Sequence, residues 1–174
     1  MLIRNYGLFW RRSVIAPDGA WPRSGELLGL GVKKKKQKFV DFANQRGVYA
    51  LYDDNFRLIY VGQAGRAKRR LYSRLRAHTI GNLADRWSRF SWFGLMGVGP
   101  EPNSDGHFEL EDVPDEIPTD RTSILNHVEA VLIMAAEPMR NTKGGIFGKE
   151  VTHYRQTARG APPPEDELDE DDLE

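Results

Sequence analysis

Two tyrosines, a run of arginines and one glutamate are the residues whose types and spacing carry chemistry. Residues 47–63, GVYALYDDNFRLIYVGQ, are rich in β-formers on both sides of the turn-like Asp53-Asp54-Asn55-Phe56. This is the signal of a hairpin with a four-residue loop. A symmetric loop pairs Tyr52 with Arg57 and sets Tyr49 opposite Tyr60, so both phenols point to one face. Such a pair either packs as a cross-strand aromatic contact or serves a site. Residues 68–78, KRRLYSRLRAH, then read as a helix with an apolar stripe at Leu71 and Leu75. Arg70, Arg74 and His78 follow at spacings of four and share one face. A cationic helix face beside two tyrosines makes a phosphate cradle. Glu129 has Leu125, Leu132 and Ile133 as helical neighbours. An acid embedded in an apolar face needs a cation, either a metal or an arginine in an ion pair.

The elements that must position these groups follow from pattern. Residues 123–136, SILNHVEAVLIMAA, form a strong helix that Thr122 or Ser123 caps and Pro138 ends, with Asn141 and Lys143-Gly144-Gly145 beyond it. Residues 81–95 carry Trp87, Phe90, Trp92 and Phe93 and read as the end of a short helix followed by a strand over 89–95, with the aromatics in the core. Residues 97–122 are rich in Gly, Pro and acid, a long excursion with at most a short strand near Phe108. Residues 1–43 are read as a leader or arm packing on or beside the rest. It holds a Pro/Gly stretch over 16–22 and lysines at 33–36 and 38, but no sustained period of 2 or 3.6, so irregular or short-strand structure is expected.

Composition narrows the class. The 174 residues have no net charge, with 25 basic and 25 acidic side chains. The balance hides an asymmetry: residues 1–78 hold 17 Lys and Arg against 5 Asp and Glu, and the remainder holds 8 against 20. A half this basic either meets an anionic partner, nucleic acid being the commonest, or attracts the other half. Residues 161–174, APPPEDELDEDDLE, hold eight acids and three prolines and cannot bury enough apolar surface to order themselves. A disordered acidic tail is therefore expected over 156–174. The absence of cysteine excludes a disulfide framework, a cysteine nucleophile and any thiolate metal site. There is no apolar run long enough to span a bilayer and no signal-peptide pattern at the start, so a cytoplasmic protein is expected.

Gly47-Val48-Tyr49 and Tyr60-Val61-Gly62 resemble the two signature tripeptides of the GIY-YIG endonuclease superfamily. An arginine on the following helix, a glutamate on a later helix and an asparagine beyond it complete the family's order. Here these are Arg74, Glu129 and Asn141, the last two separated by twelve positions. Arg74 and His78 also look like the Arg-x-x-x-His pairing of some restriction-enzyme members. The resemblance covers residues 46–145 and sets a nuclease domain over 44–155. It implies an α+β fold, a small, mixed, mostly antiparallel sheet of three or more strands flanked by helices. It implies a metal-dependent endonuclease that hydrolyses phosphodiester bonds in DNA, with Mg2+ or Mn2+ held by Glu129. Arg74 would clamp phosphate oxygens, Tyr49 would act as general base, directly or relayed through His78, Tyr60 would position phosphate or water, and Asn141 would brace the site. The chain departs from the pattern in places. The family's usual spacing selects Arg70, while the fit of residues 74–78 to the helix selects Arg74. Gln63 stands where repair-type members carry lysine. No further DNA-reading module is evident, which leaves Arg11, Arg12, Lys33, Lys34, Lys35, Lys36, Lys38, Gln63 and Arg70 as the expected DNA contacts. A double-strand break would need a homodimer or two sequential nicks. Two other classes stay open: an inactive nucleic-acid-binding module and a protein-interaction subunit.

Overall fold

The computed structural model describes residues 2–32, 37–66, 69–112, 121–136, 145, 147 and 150–159, and the side chains of 121–123 lie outside the description. Among the described residues nine strands form one sheet: β1 (Asn5–Arg11), β2 (Leu28–Gly31), β3 (Phe39–Asp41), β4 (Gly47–Tyr52), β5 (Leu58–Ala64), β6 (Arg89–Gly94), β7 (Gly97–Pro102), β8 (Phe108–Glu111) and β9 (Thr152–Gln156). Their order across the sheet is β5-β4-β6-β1-β9-β2-β3-β8-β7. The β1–β9 and β3–β8 pairings are parallel and the other pairings are antiparallel. Among the described residues the α-helices are α1 (Arg12–Ile15), α2 (Leu71–Ala77) and α3 (Arg121–Ala136), with a 3-10 turn at Gly81–Leu83.

The expected small sheet flanked by helices is thus corrected to a large mixed sheet that few and mostly short helices accompany. The difference arises in the segments without readable periodicity. Residues 1–43, expected as an arm, supply β1 to β3, and β1 lies in the middle of the sheet between β6 and β9. A break in register between Gly7 and Trp10 resets the in/out alternation within β1, which erases the period-2 pattern from its sequence. The excursion over 97–122 likewise yields the β7–β8 hairpin. These pairings are decided by burial of aromatics drawn from distant segments, such as Trp10, Phe42, Trp92 and Tyr154, and local propensity cannot report that.

The sheet buries both faces along its β4–β6–β1 side. On one face Tyr49, Leu51, Phe90, Trp92 and Trp10 pack with Leu71, Tyr72 and Leu75 of α2 and with Trp21 and Trp87. On the other, Ala50, Tyr52, Phe93 and Ile3 pack with Ala130 and Ala135 of α3, Phe147 and Val151. The alternation along β4 therefore assigns Tyr49 and α3 to opposite faces. Among the described residues no helix is long and apolar enough to cross a membrane.

Candidate functional site

The hairpin forms, with a register different from the symmetric one. Tyr49 lies opposite Gly62, Leu51 opposite Tyr60, and Tyr52 opposite Leu58, with a bulge between Leu51 and Tyr52. The turn and the bulge each contribute one position of the shift. Asp53 Oδ1 accepts from the amides of Asn55 and Arg57, and Phe56 takes a left-handed conformation at φ 60°, so one more residue enters the loop. Tyr60 still shares the Tyr49 face, displaced by two positions, and the ring centroids are 6.1 Å apart.

Glycine is required at both tripeptides. A Cβ on Gly62 would stand 2.4 Å from Cζ and Oη of Tyr49, so the Tyr49 ring lies across the bare backbone of its neighbour. A Cβ on Gly47 would meet the Phe93 carbonyl oxygen at 1.9 Å, at a φ of 151° that disfavours any side chain.

Helix α2 brings the cations to this face. Its first amides are satisfied from the chain before β4: Leu71 N donates to Gln45 O and Tyr72 N to Ala43 O. Ser73 Oγ accepts from Arg70 N and donates to Arg70 O, which closes the first turn. The hydroxyl of Tyr72 donates to Pro22 O, and Trp87 Nε1 donates to His78 O at the far end. With Leu71 and Leu75 turned into the core, Arg74 and His78 sit one turn apart at the helix margin.

The result is a four-residue cluster. Tyr49 Oη and His78 Nε2 are hydrogen-bonded at 2.7 Å. The His78 ring lies 4.6 Å from Tyr60 and 5.8 Å from Tyr49, centroid to centroid. Tyr49 is 1% exposed, whereas Tyr60, Arg74 and His78 are half-buried. Burial pushes the Tyr49 phenol up to about 12; Arg74 beside it works in the opposite direction and Tyr60 adds to the rise. The His78 imidazole is held below its ordinary range, first by burial and then by the Arg74 charge. Tyr49 is therefore a phenol and His78 a neutral imidazole at pH 7. Arg74, not Arg70, is the arginine that acts on both. Its Nε is buried and has no hydrogen-bond partner among the described residues, and its side chain also hydrogen-bonds the Tyr49 phenol.

The other expected site residues fall elsewhere. Glu129 is exposed on α3, away from the Tyr49 face. The apolar neighbours that suggested embedding, Leu125 and Leu132, are themselves 68% and 62% exposed. The buried side of α3 is instead marked by His127, Ala130 and Ala135. Among the described residues no carboxylate contributes to the shifts of Tyr49 or His78. Among the described residues no group of three His, Asp or Glu side chains is placed to hold a metal. Among the described residues the Tyr49 face therefore shows no donor set with Glu129 for a divalent cation. Asn141 and Lys33 to Lys36 lie outside the described residues.

Several expected DNA contacts have partners within the protein. The Arg12 guanidinium donates to Ala84 O and Trp87 O and lies 4.9 Å from the Trp87 ring centroid, bracing the 3-10 turn. Lys38 Nζ donates to Gly99 O at 2.6 Å and sits over Phe108. Arg11 is exposed, its main chain bonded to the Gln156 side chain. Gln63 is exposed on β5 but pairs with Val48, which places it on the face opposite Tyr49. Sequence reasoning also missed His127, whose Nδ1 accepts from Ile3 N at 3.0 Å and ties α3 to the N-terminal segment.

No protein-family model, curated protein or solved structure matches the chain.

Proposed function

We propose that the chain is a phosphodiester hydrolase acting on nucleic acid, an endonuclease of the kind its two tripeptides resemble. The observation that carries this reading is the convergence of Tyr49, Tyr60, Arg74 and His78 on one face beside the sheet edge, with a buried Arg74 donor left unpaired. The planar Arg74 fork suits the non-bridging oxygens of a phosphodiester. His78, neutral near pH 7 and half-open to solvent, is the proton acceptor. Tyr49 is buried and protonated, so its role is to hold the imidazole. In the tautomer that donates Nε2–H to the phenol oxygen, Nδ1 is the base. In the hydrolytic step the attacking water gives its proton to Nδ1 and its oxygen bonds to phosphorus. The leaving oxygen departs with the electron pair of the broken P–O bond. Tyr60, against the imidazole, orients the incoming group. The basic first half of the chain favours a nucleic-acid substrate, and the resemblance points to DNA.

The test is cleavage of supercoiled, single-stranded and branched DNA by the full chain, with and without magnesium or manganese. Running both conditions separates a metal held by substrate oxygens and water from one that the protein must hold. Arg74→Gln and His78→Ala are expected to lose cutting, while His78→Ala keeps salt-dependent binding. Cutting that survives both substitutions overturns the reading, and so does cutting abolished by Glu129→Ala with the two cluster variants unaffected. The exposure of Glu129 on the far face favours a second reading, a module that grips phosphate through Arg74 without turnover. Salt-sensitive binding with no cutting of any substrate would select it.

A further inference from the structure

The sheet ends on two unlike edges. The β7 edge carries Pro100, Glu101 and Pro102 and a break in register between Val98 and Pro102, features that stop another strand from adding. The β5 edge has no such protection. Its seven residues, LIYVGQA, contain neither proline nor charge, and Val61 is 57% exposed. Val61 pairs with Ala50, so it points to the face that α3 covers. There α3 presents Leu125, Val128 and Leu132 to solvent, at the alternating spacing of three and four that forms a helix–helix seam. A groove of about 430 Å3 runs between α3 and the strands, with Ile3, Val48 and Ala64 along one side and Val128 and Leu132 along the other.

We propose that this edge and groove are one half of a two-fold dimer interface, in which β5 of a second copy adds antiparallel to β5 and the two α3 seams close on each other. Three features favour a second copy over another occupant. An antiparallel strand pair and a helix seam are both self-complementary, as an isologous contact demands. β5 carries no charge that would oppose its own copy; on α3 the exposed Glu129 follows Val128 and flanks the seam. The dimensions also match. Seven strand residues span about 24 Å, and the sixteen residues of α3 also span about 24 Å. A face of that length and about 20 Å width buries on the order of 1,000 Å2 over both copies, the lower bound for a specific interface. The dimer is therefore concentration-dependent. It joins the two sheets edge to edge and keeps both Tyr60 side chains on the same face of the joined sheet. The inference stands apart from the catalytic reading, since it rests on the edge and on the opposite face.

Light scattering on the eluting full chain, up to about 100 µM or a hundredfold above a micromolar dissociation constant, tests it. The wild type should pass from monomer to dimer across the series. Val61→Lys on the strand and Leu132→Glu on the helix, both at exposed positions, should each remain monomeric with an unchanged circular dichroism spectrum. A wild type that stays monomeric throughout, or a dimer that either folded variant leaves intact, overturns the proposal. Should a variant misfold, hydrogen exchange on the wild type decides. Slower exchange of the β5 amides at high than at low concentration supports the interface, and exchange independent of concentration refutes it.

Discussion

Replacing Tyr49 by Phe removes one oxygen from a site that otherwise keeps its shape, and its effect on stability should depend on pH in a calculable way. At pH 8 the variant loses the 2.7 Å bond to His78 and leaves Nε2 without its partner, a cost of about 1–2 kcal/mol. The phenol ionises at about 12 in the folded protein and at 10.0 when unfolded. Its raised value means that the folded state holds the proton longer. The stability it contributes is therefore complete below pH 10 and is lost as pH rises through 12. That difference amounts to about 2.7 kcal/mol, of which about half is gone at pH 11. These figures are ceilings, because the hydroxyl meets an imidazole that is half-open to water. Phenylalanine has no such loss, so the gap between wild type and variant should close as pH climbs from 10 and vanish between pH 11 and 12. Tyr154, also pushed up to about 12, is present in both proteins and cancels. Urea unfolding followed by tryptophan fluorescence at pH 8, 10 and 11 measures the gap. A gap that stays constant over that range refutes the buried phenol. A gap below about 0.5 kcal/mol at pH 8 refutes the hydrogen bond as a contributor.

The remaining predictions concern neighbouring groups. NMR titration of the His78 ring should give a value below the ordinary 6.5, and Arg74→Gln should raise it by removing the like charge; a fall or no change would contradict the placement of Arg74. Gly62→Ala should displace Tyr49 and cost about 1–3 kcal/mol by overpacking, while shifting the His78 titration, and an unaltered His78 signal would mean that the ring has room. Arg12→Met should lower stability by about 1–3 kcal/mol through two orphaned carbonyls and the lost ring contact, yet leave DNA affinity and its salt slope unchanged; a reduced slope would return Arg12 to the set of phosphate contacts.

The local pieces of the site are legible in the order of the residues. Hairpin and helix signals sit within residues 47–78, where turn chemistry and spacing of four act over short separations. Residue pattern therefore suffices to place Tyr49, Tyr60, Arg74 and His78 on neighbouring elements. The glycines of the two tripeptides are visible as residues, but their reason, a Tyr49 ring lying across Gly62 and the Phe93 carbonyl against Gly47, is a contact between strands. Register is not legible in the same way. One extra loop residue and the bulge between Leu51 and Tyr52 together move Tyr49 from Tyr60 to Gly62, and nothing in the local pattern separates those two alignments. The place of Glu129 is settled by packing. An apolar helical neighbourhood predicts a buried acid only if that side of the helix is the one that packs, and α3 packs through His127, Ala130 and Ala135 instead. The same holds for the sheet. The bulge in β1 and the return of β9 from the far end of the chain are set by burying aromatics from distant segments on two faces, a constraint that exists only once the whole chain has come together.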